Sequence, residues 1–224
     1  MTTPTFSLTY GEDVKLPLSV QAADISVQAV PSQRMCLIEL RLTVVNDAVD
    51  GDIEAALRFP LPDSDATICG LSLGRDTAVA VPKAKAAEVA YKEKEKGRAV
   101  ATAASVQGAV FETTIFPLPF NEPKELVVTC FTKLAAAADH GLSMALPGLT
   151  FAKPVPTVVL RTAATEGTPL LLVGEAGTAL ETGTVMRGTT LPGGFTLRLA
   201  RPAAGTPLAE AASAACGGQL FWSG

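Results

Sequence analysis

The chain has 224 residues, 48% of them hydrophobic and 18% charged, with a formal net charge of -4. That share of apolar material builds a packed core and excludes disorder as the main description. A pI of about 5.1 excludes a nucleic-acid binder of the usual kind, because phosphates call for clustered Lys and Arg. No run approaches the roughly 18 apolar residues of a membrane span.

Taken in chain order, the stretch Met1 to Leu8 is polar and Thr-rich, without the basic start and apolar block of a secretory signal. Period-two alternation then dominates. It begins at Ile25, Val27 and Ala29, and is clearest from Cys36 to Val44. There Cys36, Ile38, Leu40, Leu42 and Val44 share one face and Glu39, Arg41 and Thr43 the other, the pattern of a half-buried strand. The pattern returns at Leu126, Val128 and Cys130, and at Phe195, Leu197 and Leu199. Apolar runs at 14–20, 53–59, 66–73, 109–116, 155–160 and 169–173 are short and bounded by Gly, Pro, Asp or Asn. About a dozen such strands predict an all-β, mostly antiparallel β-sandwich.

One segment breaks the rhythm. Between Pro82 and Gly97 strong helix formers lie between a proline suited to a first turn and a glycine suited to a stop. This predicts one amphipathic helix over about 83–96, docked on the sheet through Ala84, Ala87, Ala90 and Tyr91. Residues 83–98 carry six Lys or Arg against three Glu, so the helix is basic in an acidic protein. A solvated face explains this most simply; if the helix binds a protein partner, Lys85, Lys92 and Lys96 are the candidate residues.

The tetrapeptide FPLP occurs at Phe59 to Pro62 and again at Phe116 to Pro119, where prolines end strands or hold them at a sheet edge. After His140 the chain becomes rich in Thr, Gly, Ala and Pro. A boundary is therefore expected near 136, giving a sandwich domain at 1–135 and a second β-rich region at 136–224. The tail from Pro202 to Gly218 reads as linker, and the apolar stub Leu220-Phe221-Trp222 as the approach to a domain further on.

Chemistry is sparse in this pattern. Gly70-Leu71-Ser72-Leu73-Gly74 matches the G-x-S-x-G nucleophile elbow, with Asp76 and His140 following in hydrolase order. The elbow needs a strand turning sharply into a helix, whereas the residues on both sides of Ser72 continue as β sequence. A serine hydrolase using Ser72 and His140 is thus a remote alternative. Asp63-Ser64-Asp65 offers too few oxygens for a cation and reads as a β-turn. The four cysteines, Cys36, Cys69, Cys130 and Cys216, form no C-x-x-C pair. Cys36 and Cys130 are expected as buried free thiols, in keeping with a reducing, cytoplasmic setting. No metal site, cofactor site or catalytic residue is expected.

Taken consecutively, Glu54 to Pro62, the outgoing strand ICGLSL, the A-x-x-x-Y helix with Ala87 and Tyr91 ending at Gly97, the Phe111 strand and the strand from Glu125 to Leu134 resemble the VIT domain. That module is shared by vault poly(ADP-ribose) polymerase and the inter-alpha-trypsin inhibitor heavy chains, and the resemblance spans roughly residues 10–135. It departs from the family at Phe131, where a tyrosine is common, and at the turn Asn121-Glu122-Pro123-Lys124. The resemblance implies no catalytic residues and a von Willebrand factor A domain further along. It implies a non-enzymatic protein-interaction or assembly module, partnered by another protein or by that downstream domain. An extracellular or cell-surface adhesive module is the alternative.

Overall fold

The computed structural model describes residues 6–11, 15–77, 100–104, 109–137, 141–147, 149–165, 170–173, 179–180, 190–191 and 195–199. In chain order its strands are β1 (Ser7–Tyr10), β2 (Leu16–Pro17), β3 (Ser19–Val30), β4 (Met35–Val45), β5 (Ile53–Pro60), β6 (Thr67–Leu73), β7 (Asp76–Thr77), β8 (Val100–Ala104) and β9 (Val110–Leu118). They continue with β10 (Lys124–Lys133), β11 (Ala135–Ala136), β12 (Leu142–Leu146), β13 (Leu149–Thr150), β14 (Thr157–Ala164), β15 (Leu170–Val173), β16 (Ala179–Leu180), β17 (Thr190–Leu191) and β18 (Phe195–Leu199). The all-β expectation holds. The described residues contain one 3-10 turn, Pro31–Gln33, and no α-helix. The helix expected at 83–96 lies outside the described residues.

Two sheets form the sandwich, one of five strands in the order β2-β1-β5-β9-β8 and one of six in the order β14-β3-β4-β10-β6-β7. The alternation read along β4 is realised: Cys36, Ile38, Leu40, Leu42 and Val44 are all buried, with Cys36, Leu42 and Val44 fully so. Leu126, Val128 and Cys130 of β10 lie on the same inner face, paired in register with Leu42, Leu40 and Ile38. Against them pack Leu57, Phe59, Phe111, Ile115 and Leu118 of the facing sheet, in one continuous core. Each leucine withdrawn from water in this way stabilises the fold by roughly 1.5–3 kcal/mol.

The prolines sit where a ladder can spare a donor. Pro17 lies on the short edge strand β2, and Pro60 is the last residue of β5. Pro117 falls where the β5–β9 register slips between Ile53 and Ala55, so the missing N–H coincides with an existing irregularity.

Beyond residue 134 lies a further five-stranded sheet, β11-β12-β18-β15-β16, whose strands after β11 all come from the second β-rich region. The expected boundary near 136 is nonetheless crossed. β14 returns to the first region and pairs parallel with β3 from Thr157↔Ala22 to Ala164↔Ala29, so strands from both sides of 136 share one sheet. Short-range pattern cannot reveal this, because a parallel partner comes from far along the chain. Phe6 and Phe151, with ring centroids 4.8 Å apart, add a second contact between the regions.

One crossing from the six-stranded to the five-stranded sheet occurs between the end of β4 and the start of β5, and there a fully buried polar side chain, Asn46, organises the chain. Its Nδ2 donates to the carbonyls of Val49 (2.7 Å), Gly51 (3.1 Å) and Leu118 (3.3 Å). Its Oδ1 accepts from the N–H groups of Val49 (3.0 Å) and Ala48 (3.3 Å). Its own carbonyl accepts the Asn121 N–H at 2.8 Å. Gly51, at φ +87, supplies the left-handed turn that aims its carbonyl at Asn46.

Asn46→Ala leaves the buried Leu118 carbonyl without its amide donor and removes the half-buried bonds to Ala48, Val49 and Gly51 of a largely exposed loop, and is expected to cost about 1–3 kcal/mol. Denaturant unfolding measures this. A midpoint unchanged from the parent would show that the loop holds itself without the amide.

Candidate functional site

The nucleophile-elbow reading fails on geometry. Ser72 lies inside β6, half-buried, opposite Val127 of β10 and Thr77 of β7, and the strand runs straight through it. The two glycines of the motif have backbone and packing reasons. Gly74 (φ +62) begins the tight turn into β7, and a side chain at Gly70 would place its Cβ 3.2 Å from Thr129 Oγ1. His140, Lys85, Lys92 and Lys96 lie outside the described residues, as does Cys216.

Asp63-Ser64-Asp65 forms the expected turn. Asp63 Oδ1 accepts the Asp65 N–H at 2.8 Å, and Oδ2 accepts the hydroxyl of buried Thr132 at 2.5 Å, which ties the loop to β10. Among the described residues no group of three or more His, Cys, Asp or Glu could hold a metal ion.

The structure brings together something else: an apolar slot of about 40 Å³ between the sheets. One wall is the inner face of the six-stranded sheet, with Ile25, Ile38, Leu40, Val128 and Cys130. The facing wall is the first FPLP segment, Phe59 to Pro62, and the end is closed by Leu146, Pro147 and Leu149 of the second β-rich region. The FPLP segment is held in place by the Leu61 N–H donating to the Ala109 carbonyl at 2.8 Å. Pro60 is the last paired residue of β5, and the chain leaves the ladder at Leu61 and Pro62 beside a gap lined almost wholly by carbon.

The single reactive group in the lining is the Cys130 thiol. Burial, with Cys69 and Asp63 nearby, pushes it up to about 12. Burial, with Cys130 as neighbour, pushes Cys36 equally to about 12. At neutral pH both are protonated and poor nucleophiles. Cys69 is exposed on β6, and its thiol is also raised by desolvation. Cys36, Cys69 and Cys130 are all free, as expected for the first and third.

The described ion pairs are surface features. Arg41 bridges Glu39 (2.9 Å) and Glu125 (2.8 Å) on the outer face of the six-stranded sheet, and Arg58 meets Glu112 at 3.0 Å. Arg161 of β14 reaches Asp24 of β3 and so fastens the parallel pair. One polar cluster joins the regions: Asp47 Oδ2 accepts from Lys153 Nζ at 2.7 Å and from Ser19 Oγ at 2.5 Å. Partial burial raises the Asp47 pKa, but these two donors outweigh it and hold the carboxyl below its usual range.

No known protein family and no curated protein matches this sequence. Solved structures do. Aminopeptidase A from Legionella pneumophila is 14% identical at a TM-score of 0.45, over 87% of this chain and 23% of the other. The M1 zinc metallopeptidase from Deinococcus radiodurans is 12% identical at 0.42, over 85% and 43%. Leukotriene A4 hydrolase from Saccharomyces cerevisiae is 8% identical at 0.41, over 81% and 29%. The chain thus spans less than half the length of each.

These findings stand against the expectation of a non-enzymatic interaction, assembly or adhesive module. The similar structures are enzymes, peptidases and a hydrolase. At such identities and TM-scores the likeness transfers no residue, metal or substrate to this chain. No helix among the described residues is long and apolar enough to cross a membrane.

Two measurements check the chemistry of these side chains. Under iodoacetamide at neutral pH, with labelled peptides mapped by mass, Cys69 is expected to react in the folded protein, and Cys36 and Cys130 only on unfolding. Labelling of Cys130 as fast as Cys69 would mean that the core opens readily. The Asp47 carboxylate, depressed in the folded state, contributes fully above its unfolded value near 3.8 and ceases to do so as pH falls through the lower folded value. Because the pair is about one-third exposed, that contribution is less than about 1 kcal/mol. Asp47→Asn is expected to lose less stability than the parent between about pH 5 and pH 2. Equal acid losses would show that the cluster contributes nothing.

Proposed function

We propose that this chain contributes binding, rather than bond-making chemistry, to an enzyme. The slot between the sheets takes one small apolar side chain or a group of that size, and the reacting groups come from outside the described residues. The observation that carries this reading is the lining. It pairs a carbon surface, which gains by excluding water, with one thiol too high in pKa to act as nucleophile or base at neutral pH. The slot is far smaller than the 300–1,000 Å³ typical of drug-sized ligand sites, which favours a single side chain over a whole metabolite. With only a few carbon atoms engaged, affinity is expected on the order of millimolar.

Kinship with the VIT domain is a second proposal about ancestry. It is favoured by the order in which the matching segments occur as β5, β6, β9 and β10. It carries no residue role.

Methyl NMR titration tests the binding proposal. N-acetyl-leucinamide and N-acetyl-valinamide are expected to shift the methyl resonances of Leu40, Val128 and Leu149, and N-acetyl-lysinamide is not. Cys130→Leu, which fills the slot, should abolish the shifts, and Cys130→Ala should preserve them. Equal responses to all three compounds, or shifts elsewhere on the protein, would overturn the reading. In parallel, the chain is expected not to hydrolyse aminoacyl-p-nitroanilides with or without added zinc. Turnover would place the chemistry within this chain.

A further inference from the structure

We draw no further inference here: the strongest candidate, the outward-facing apolar patch that Leu37 of β4 and its register partner Phe131 of β10 form on the six-stranded sheet, has nothing in the structure to show what covers it.

Discussion

The architecture depends on how the chain passes from one sheet to the other after β4, and that passage is governed by the buried amide of Asn46. A largely exposed loop seated over the end of a sandwich must still satisfy the carbonyls and N–H groups that it turns inward. Here one side chain does so for both ends of the loop and for the end of β9. Its two N–H hydrogens serve carbonyls at residues 49, 51 and 118, and its oxygen receives two N–H groups. Because Leu118 is paired with Ile53, the same amide that shapes the loop also anchors the β5–β9 ladder. A leucine at this position would bury well and leave the polar groups orphaned, so the identity of the residue matters more than its size.

The slot follows from this arrangement of sheets. Once β4 and β5 are fixed on opposite layers, β5 runs out at Phe59 and Pro60, and its continuation must cover the inner face of β4 and β10. Pro62, which has no N–H to donate, follows the end of the ladder, and the continuation covers the face outside any strand. The connection between β12 and β13, through Leu146, Pro147 and Leu149, closes one end. Residues from both halves of the chain therefore build the feature on which the functional proposal rests. The parallel pairing of β14 with β3, the Phe6–Phe151 contact and the Asp47–Lys153 bridge hold those halves together.

Much of the local structure was legible because it rests on period-two alternation. Cys36 through Val44 announce β4 and its buried face, and the β pattern that continues on both sides of Ser72 ruled out an elbow. The turn at Asp63 also follows from its residues. What was not legible is non-local. Nothing near residues 157–164 says that they pair parallel with 22–29, and nothing near Asn46 says that Leu118 will lie beside it. The slot was half visible. The FPLP segment stood out, but it was read as a strand end, and only the tertiary fold shows that its irregularity leaves space over Val128 and Cys130. The segment expected as a basic helix and His140 lie outside the described residues.

The functional proposal rests on the slot and its apolar lining. The most direct test is a crystal structure determined under xenon pressure, because xenon enters dry apolar space of about its own size. The account predicts xenon density in the slot between Ile25, Leu40, Val128 and Leu149, lost in Cys130→Leu. A slot that remains empty under xenon, or that is filled by rearranged side chains, would contradict it.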